Sequence, residues 1–474
     1  MNRNSEIPHS EIIRQKEIMK QVYKASQERP EPPLAYIDTY GCQQNESDSE
    51  KIRGMLAEMG YSFTGDEFLA DVIAVNTCAI RENAENRVFG NIGALKHTKK
   101  AKPSQTIAFC GCMAAVPETV EKIRQSYMHV DLIFSPNNLW RFPELLHRTL
   151  SAKGRVIETD VQLASIAEGL PAHRDGTVKA WLPIMYGCDN YCSYCIVPYV
   201  RGRERSREPE AIITEAKALI ADGYKDITLL GQNVNSYGSG LSKKATFANL
   251  LQQINELSGE FLIRYMTSHP KDASIELFET MSKSEKIARH IHLPFQAGND
   301  RILRLMNRGY TQDSFLEKIS AARTLMPDIV ITSDVIVGFP GETDEEFEDT
   351  LKLIEKAQFD AMFTFIYSKR PGTPAEKLED NVTREQKQVR FDKLLDLQNT
   401  ISEQKHSKYI GKTEQVLVDS LSHDQRYPLN ARTNGGRLVH LRGDISLIGS
   451  FSNALITDSN YWSLYGESEK GGQA

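Results

Sequence analysis

Three cysteines stand close together in the middle of the chain, at Cys188, Cys192 and Cys195. Their spacing, C-x3-C-x2-C, puts three thiolates on one short loop, where they can bind three corners of an iron–sulfur cube. The loop holds no fourth ligand, so one iron would keep an open position for a substrate or cofactor. The spacing therefore predicts a reactive iron–sulfur cluster.

A structural zinc site is the alternative metal site for this loop. Such a site takes four ligands, often in paired C-x2-C knuckles, and the loop has neither a second pair nor a histidine. Disulfides are disfavoured because cytoplasmic thiols stay reduced and because the chain has seven cysteines, an odd number. The iron–sulfur cluster is the favoured interpretation.

Three further cysteines, Cys42, Cys78 and Cys112, each follow a predicted buried strand and precede a predicted helix. In an open α/β sheet these junctions lie along the edge where ligands bind. We therefore expect the three thiols to converge on a second site, against the alternative that they only pack. Cys110 lies two residues before Cys112, so we expect it on the same face but deeper, as a packed thiol and not a ligand.

Four arginines at alternate positions, Arg201, Arg203, Arg205 and Arg207, follow the central cysteines. In an extended segment, side chains two residues apart share one face. That face could bind the phosphates of a nucleic acid, which position it without reading its sequence. The alternative is that some of these arginines pair with carboxylates nearby, such as Glu204, or with carboxylates of the barrel.

The elements that must position these residues alternate between strand and helix, which predicts an α/β fold. Residues 33–150 are predicted to form an open parallel α/β sheet, and residues 179–405 a partial (β/α)6 barrel with its site at the C-terminal strand ends. Residues 406–470 contain short strands typical of a small all-β barrel. Residues 1–32 are expected to be a flexible, solvated extension with at most one amphipathic helix, and residues 151–178 a linker.

Composition limits the functional class. The 474 residues are 40% hydrophobic and 25% charged, and no apolar run reaches the roughly 18 residues that span a bilayer. The N-terminal stretch is polar and lacks the apolar core of a signal peptide, so we expect a cytoplasmic protein. A formal net charge of −6 argues against indiscriminate binding to nucleic acid but permits a local basic patch.

The central cysteine loop, with Tyr194 before its third cysteine and a strand before its first, resembles the radical S-adenosylmethionine superfamily. The resemblance implies that the open iron binds S-adenosylmethionine and that reductive cleavage of this cofactor gives a 5′-deoxyadenosyl radical. It places Gln232 and Asn233 near the methionine part of the cofactor and Asp334 near its adenosine part. The chain departs from the superfamily there, because Gln232 and Asn233 replace the usual Gly-Glu and Asp334 stands where glycine is common.

The N-terminal segments TYGCQQNESDSE, NTCAIRENAE and GCMA resemble the methylthiotransferases, which carry a second, auxiliary cluster on three N-terminal cysteines. The resemblance implies that Cys42, Cys78 and Cys112 hold this auxiliary [4Fe–4S] cluster and that the last domain is a TRAM-like RNA-binding barrel. One S-adenosylmethionine would donate a methyl group to sulfur, and a second would supply the radical. The radical would remove the hydrogen from C2 of adenine, so the cofactors carry the chemistry and no acid–base pair is needed.

Short motifs indicate the substrate within this family. Gln43-Gln44, Ala79-Ile80-Arg81 and VPYVRGRERSR are most similar to the branch that converts N6-dimethylallyladenosine, just 3′ of the tRNA anticodon, to its 2-methylthio derivative. An unpaired anticodon loop can present that base to a pocket. The implied partners are the tRNA anticodon stem-loop, an electron donor such as flavodoxin or ferredoxin, and an iron–sulfur carrier for cluster repair.

Two alternatives stay open. A sibling methylthiotransferase would act on threonylcarbamoyl-adenosine in tRNA or on an aspartate of a ribosomal protein, and only short motif differences oppose it. A two-cluster electron carrier or RNA-binding redox sensor would need four ligands for each cluster, whereas the chain offers three and three. His269, His292, Phe295 and Gln296 lie near predicted strand ends and could line a prenyl pocket or simply pack in the barrel.

Overall fold

The computed structural model of the chain describes residues 6–79, 82–151, 154–160 and 165–469. Ile80 and Arg81 of the substrate motif lie outside the described residues, as do both chain ends and parts of the predicted linker. The described chain forms a parallel sheet, a partial barrel and a small closed barrel, in that order. The α/β fold class and its three architectures are therefore as the sequence predicts.

The N-terminal sheet has six parallel strands in the order β2-β1-β3-β4-β5-β6. Its strands are β1 (Leu34–Thr39), β2 (Ser62–Phe63), β3 (Val72–Thr77), β4 (Thr106–Gly111), β5 (Leu132–Phe134) and β6 (Val156–Glu158). The accompanying helices are α1 (His9–Gln27), α2 (Gln43–Glu58), α3 (Glu82–Ala101), α4 (Pro117–Ser126) and α5 (Phe142–Ser151). β3 and β4 are buried along their whole length, as expected for central parallel strands covered on both faces.

Helix α1 corrects the expectation of a flexible N-terminal extension. Its apolar side chains Ile12, Met19 and Val22 are at most 6% exposed, and the last two belong to the core of the sheet domain. Arg14 donates to Glu144 of α5 at 2.6 Å. Because the segment is mostly polar, its composition did not indicate the few apolar residues that lie in a narrow stripe along one face of the helix.

The predicted linker also contains structure. β6 pairs in parallel with β5 and completes the N-terminal sheet on that side. Residue Ile166, near the middle of the predicted linker, forms a bridge with Glu6 in the N-terminal segment. A three-residue strand has too short a pattern to be recognised from sequence, which is why the linker prediction missed it.

Six parallel strands form the central partial barrel, as two sheets of three in the orders β11-β10-β7 and β12-β13-β14. A bridge between Ile263 and Ile287 links the two sheets. The strands of this region are β7 (Lys179–Pro183), β8 (Met185–Tyr186), β9 (Arg205–Ser206), β10 (Asp226–Leu230), β11 (Leu262–Tyr265), β12 (His290–His292), β13 (Val330–Val337) and β14 (Ala361–Ile366). The helices are α6 (Val197–Arg201), α7 (Pro209–Ala221), α8 (Phe247–Asn255), α9 (Ile275–Ser282), α10 (Asp300–Leu305), α11 (Gln312–Leu325), α12 (Asp344–Ala357) and α13 (Arg384–Ser407).

The C-terminal barrel is closed, with strand order β15-β16-β17-β19-β18. Its strands are β15 (Thr413–Leu421), β16 (Leu429–Thr433), β17 (Leu438–Arg442), β18 (Phe451–Ser459) and β19 (Leu464–Ser468). Alternate side chains such as Val416 and Val418 point inward and fill the interior. The short-strand pattern of the sequence therefore predicted this barrel correctly.

Candidate active site

The three N-terminal cysteines converge at one edge of the six-stranded sheet. Cys42 precedes α2, Cys78 follows β3, and Cys112 follows β4 at the start of a short 3-10 turn. The Sγ atoms of Cys42 and Cys112 both approach Oδ1 of Asn45, at 3.8 and 3.9 Å. Parallel strands end at the same edge, and this geometry brings together thiols up to 70 residues apart.

Backbone and amide groups around these thiols bring them close together. A Cβ on Gly41, whose φ is +116°, would lie 2.2 Å from Cβ and 2.8 Å from Sγ of Cys78. Nδ2 of Asn45 donates to the carbonyl oxygens of Tyr40 and Thr77, so its Oδ1 is held facing the thiols. These features fit a site that three cysteines build together.

Electrostatics favour a thiolate at this site. A hydrogen bond with Cys78, and next the positive charge of Arg201, lower the pKa of Cys42 to about 6 against the effect of burial. Burial raises the pKa of Cys112, and Arg201 opposes that rise. Thiolates are the form in which cysteine binds metal, so a nearby buried cation suits the predicted role.

Cys110 lies on the opposite side of the sheet from Cys112. It is 1% exposed within the apolar cluster that contains Ala74 and Leu132, and burial raises the pKa of its thiol. Cys112 instead joins the cluster on the other face. The expectation of a shared face is wrong because β4 ends at Gly111, whose φ of +89° turns the chain.

The central cysteines lie on the loop between β8 and α6. Burial raises the pKa of Cys188 to about 11 and of Cys195 to about 12, and the charge of nearby Cys192 contributes to both. Nη1 of Arg308 donates to Sγ of Cys192 at 3.2 Å. A buried cation therefore accompanies each of the two thiol sets.

Hydrogen bonds from the barrel hold this loop in place. The amide of Ser193 donates to the carbonyl of Met306 at 3.0 Å, and its hydroxyl donates to the carbonyl of Leu305 at 2.7 Å. The amide of Ala375 donates to the carbonyl of Ser193 at 2.8 Å. The thiols are thus presented by a loop with fixed backbone geometry.

Neither set of thiols is arranged for a single metal ion. Among the described residues, no three cysteine, histidine, aspartate or glutamate side chains stand close enough together to ligate one ion. In an iron–sulfur cube each cysteine binds a different iron atom, so a set of three cysteines supplies three of the four ligands. Both thiol sets, each with an adjacent cation, fit a cluster of this kind.

Protein contacts already occupy most of the predicted cofactor-binding residues. Oε1 of Gln232 accepts from the amide of Gly187, and the hydroxyl of Tyr194 accepts from Arg308 at 3.4 Å. Nδ2 of Asn233 donates to Asp272 at 2.7 Å, and its Oδ1 accepts from the amide of His269 at 3.0 Å. The carboxylate of Asp334 lies 3.4 Å from Nε2 of His292. Their contact with S-adenosylmethionine stays a prediction.

Several buried polar groups lie in the loops of the partial barrel; the sequence had suggested His269 and Gln296 as pocket residues, but it missed Glu204 and Asn235 as candidate ligand contacts. No described residue hydrogen-bonds to Oε1 of Glu204, to either amide atom of Asn235, to Nε2 of His269 or to Oε1 of Gln296. Burial raises the pKa of Glu204 to about 7, and its second oxygen accepts from Ser236 at 2.7 Å. Buried polar atoms without partners are costly, so these groups suit contact with a ligand. No spacing pattern could have identified them, because they come from separate loops.

Phe295 is not part of this polar surface. It is fully buried and stacks on Phe359, with ring centroids 5.3 Å apart. The suggestion that Phe295 lines a prenyl pocket is therefore wrong. His292 is also buried, and its Nδ1 lies 2.9 Å from the hydroxyl of Thr332.

The four arginines after the cysteine loop do not share a face, which corrects the prediction of a basic row. Arg201 ends α6, and Gly202 at φ +77° interrupts any extended run. Arg205 is 4% exposed and donates to the carbonyl of Arg203 at 2.8 Å. Arg207 is 5% exposed and pairs with Glu168 and Glu215.

Arg203 is the exposed member of the row. About half of its side chain is accessible, and it pairs with Asp189 at 2.6 Å. The local charge pattern could not show that the other three arginines are buried, because Arg201 and Arg207 pair with distant segments and Arg205 folds back onto carbonyls of its own segment. Of the four predicted RNA contacts, only Arg203 lies where RNA can reach it.

Three family models match the chain. The Radical SAM superfamily matches residues 182–354, the TRAM domain matches residues 407–468, and the Uncharacterized protein family UPF0004 matches residues 34–135. The three matches fall on the partial barrel, the closed barrel and the six-stranded sheet. The radical S-adenosylmethionine resemblance and the TRAM-like resemblance are thereby confirmed.

Curated relatives match almost the whole chain. A tRNA-2-methylthio-N(6)-dimethylallyladenosine synthase of Acetivibrio thermocellus is 46% identical over 98% of both chains. One of Alkaliphilus oremlandii is 49% identical over 91% of this chain and 92% of its own.

A solved structure shares the fold. The radical S-adenosylmethionine methyltransferase TsrM from Kitasatospora setae superposes with a TM-score of 0.54 at 13% identity. The match covers 73% of this chain and 77% of TsrM, and at this identity it shows a shared fold alone. Within the described residues, no helix has the length and apolar character needed to cross a membrane.

Proposed function

Since the chain belongs to the family of tRNA-2-methylthio-N(6)-dimethylallyladenosine synthases, we propose that it converts N6-dimethylallyladenosine next to the anticodon of tRNA to its 2-methylthio derivative. The observation that carries the proposal is identity of 46–49% to such enzymes over at least 91% of the chain. The presence of two separate sets of three converging cysteines supports the same chemistry, which needs two clusters.

The enzyme uses S-adenosylmethionine and two [4Fe–4S] clusters. In our proposal Cys42, Cys78 and Cys112 hold the auxiliary cluster, and the cysteines of the central loop hold the cluster that binds S-adenosylmethionine. When bound, these groups supply the methylated sulfur and the radical that removes hydrogen from C2 of the adenine. The protein supplies binding, orientation and electrostatics.

The residues around the central loop position the cofactor. Nη1 of Arg308 donates to Sγ of Cys192 at 3.2 Å and places a positive charge beside this proposed ligand. Glu204, Asn235 and His269 present buried polar atoms that accept or donate no hydrogen bond within the described part of the chain, and there they can bind the charged end of S-adenosylmethionine or the base. Tyr194, which accepts from Arg308, and Asp334, which lies beside His292, belong to the same proposed set of cofactor contacts.

The closed barrel offers a face for RNA. The ring of Tyr465 packs at a tilt against those of Tyr427 and His440, at centroid distances of 5.1 and 5.2 Å, and the guanidinium of Arg442 lies 4.9 Å from the Tyr427 ring. Trp462, on the turn between β18 and β19, is 71% exposed. Aromatic rings beside cations bind unpaired nucleotides by stacking and phosphate contact.

We expect Arg442→Gln to weaken binding of the substrate tRNA. The plot of log affinity against log salt concentration should become less steep, with the magnitude of its slope lower by about 1, because one phosphate contact is lost. Binding titrations at several salt concentrations measure this. Lys352→Gln, which removes an exposed cation from the outer helix α12, is the control and should leave the slope unchanged. Equal slopes for Arg442→Gln and the unaltered chain would contradict the RNA face.

The activity itself is tested with anaerobically reconstituted protein, S-adenosylmethionine, a strong reductant and tRNA that carries N6-dimethylallyladenosine. Mass analysis of the digested RNA should show a methylthio gain on that nucleoside. Cys78→Ala should abolish the gain, whereas Cys110→Ala, the matched cysteine control, should retain it. Formation of 5′-deoxyadenosine without any change in the RNA would mean that the substrate is wrong.

The finer partners stay predictions. An electron donor such as flavodoxin or ferredoxin must reduce the central cluster, and an iron–sulfur carrier would repair the auxiliary one. The tRNA anticodon stem-loop is the proposed substrate, and a cytoplasmic location agrees with it.

A further inference from the structure

One buried arginine connects the two sets of thiols. Arg201 lies six residues after Cys195, at the end of α6, yet its side chain reaches into the N-terminal domain. Its Nε donates to Sγ of Cys112 at 3.2 Å. A residue that follows the radical-generating loop thus contacts a cysteine of the other site.

The guanidinium is held from a second direction by helix α2. Its Nη2 donates to Oδ1 of Asn45 at 2.7 Å and to Oδ2 of Asp48 at 2.8 Å. The side chains of Arg201 and Asp48 are only 6% and 8% exposed. An arginine keeps its charge when buried, and its rigid fork fixes the direction of each N–H group.

The position of this cation is specific. Asn45 Oδ1 is also the atom that Cys42 and Cys112 approach, so the guanidinium, the amide and the two thiols form one cluster. A simple ion pair between Arg201 and Asp48 would leave Nε free to point elsewhere. Instead Nε points at the sulfur, which is the atom that binds iron in our proposal.

We propose that Arg201 is a positioning residue that raises the reduction potential of the auxiliary cluster through its hydrogen bond to Cys112 and its charge, and that ties this cluster to the radical loop. The proposal rests on the proposed function, because it takes Cys42, Cys78 and Cys112 as the ligands. Hydrogen bonds and positive charge at a ligating sulfur stabilise the reduced cluster, which carries more negative charge.

The same contact couples the two sites mechanically. The backbone of α6 begins two residues after Cys195, and its last side chain is anchored on α2 and on Cys112. A shift of the central loop on binding S-adenosylmethionine would therefore move a donor to the auxiliary cluster. The arrangement gives Arg201 a role that surface contact with RNA does not explain.

The test compares full-length chains in which Cys188, Cys192 and Cys195 are alanine, so that one cluster gives the signal. Redox titration followed by electron paramagnetic resonance measures the midpoint potential. Arg201→Gln should shift it to more negative values, and Arg201→Lys should shift it less in the same direction. Asp48→Asn keeps the shape but removes the opposing charge, so it should shift the potential to more positive values.

Opposite shifts at Arg201 and Asp48 separate electrostatic tuning from a structural role, because loosened packing would not reverse sign between the two. Arg207→Lys, a buried arginine paired with Glu168 and Glu215, is the matched control and should leave the potential unchanged. Should Arg201→Gln fail to fold, Arg201→Lys and Asp48→Asn still decide.

Wild-type potentials in all Arg201 and Asp48 variants, with normal iron content, would overturn the proposal and leave the proposed function intact. If the unaltered N-terminal thiols take up no iron, the assignment of the auxiliary ligands fails first, and this inference fails with it. The two failures are distinguished by the iron content of the chain that carries no change at Arg201.

Discussion

Gly41 illustrates how a single residue shapes the auxiliary site. It separates β1 from Cys42, and the space that a side chain would fill is taken by Cys78. Its φ of +116° is also rarely adopted by residues with a Cβ. Both conditions make glycine the residue that allows Cys42 and Cys78 to approach each other.

We therefore expect Gly41→Ala to lose the iron of the N-terminal site while 5′-deoxyadenosine is still formed at the central site. Iron analysis and product quantification after reconstitution measure the two effects separately. The control is Gly65→Ala, since a Cβ at Gly65 has no atom within 4 Å. Full iron content and full methylthiolation by Gly41→Ala would disprove this account of the site.

Arg207 shows that a charged residue can serve the fold in a segment that looks like a nucleic-acid surface. Because Arg207 is 5% exposed and its loss leaves the half-buried carboxylates of Glu168 and Glu215 without their cation, Arg207→Met should lower the free energy of unfolding by about 1–3 kcal/mol. Arg203→Met removes an exposed pair and should cost less than about 1 kcal/mol. Urea denaturation of the metal-free chain measures both, and equal costs would refute the assignment.

At the scale of the element, α1 is the clearest difference between expectation and structure. The helix lies against α5, and Gln15 accepts from the amide of Glu144 at 3.2 Å in addition to the Arg14 contact. Its apolar stripe is narrow, so composition alone resembles a solvated tail. Packing on the sheet domain makes the helix part of the fold that carries the auxiliary thiols.

Met19→Ala should therefore lower the free energy of unfolding by about 2–5 kcal/mol, because it empties a fully packed position. Ile13→Ala, on the same helix but 44% exposed, should change it by no more than about 0.5 kcal/mol. Denaturation monitored by circular dichroism provides the comparison. If both substitutions were neutral, α1 would not contribute to the stability of the domain.

At the scale of the whole molecule, the closed barrel packs against the partial barrel, at the N-terminal ends of the strands of the partial barrel. Arg264 of β11 donates to the carbonyls of Thr433 and Asn434, and Arg437 pairs with Asp360 just before β14. A Cβ on Gly435 would lie 2.3 Å from Cγ2 of Val330. The turn between β16 and β17 thus closes the end of the barrel opposite the cysteine loop.

We expect Gly435→Ala to destabilise the contact between the two barrels by about 1–3 kcal/mol, because the added methyl group overpacks it. Hydrogen exchange at the starts of β11 and β13 should become faster. Mass spectrometry measures the rate of amide hydrogen exchange in both strands. Gly176→Ala, where a Cβ meets nothing within 4 Å, is the control. Unchanged exchange in Gly435→Ala would show that the contact between the barrels is loose.

The order of the elements and the cysteine positions could be predicted because both are local features of the sequence. Alternating strand and helix patterns showed the two α/β regions, and C-x3-C-x2-C needs only eight residues to be recognised. The strand-end rule then brought Cys42, Cys78 and Cys112 together without coordinates. Their supporting residues, such as Asn45 and Arg308, have no such pattern.

The sequence by itself determined the fold class, the two sets of thiols and the family, because these depend on spacing and periodicity along the chain. Only the tertiary structure decided which arginines are buried and which groups they pair with. Arg201 pairs with Asp48 and Arg207 with Glu168, and both partners are more than 30 positions away in the sequence. The local sequence around an arginine is the same whether its guanidinium faces solvent, a distant carboxylate or a sulfur atom. That physical ambiguity is resolved when the N-terminal sheet packs against the radical loop.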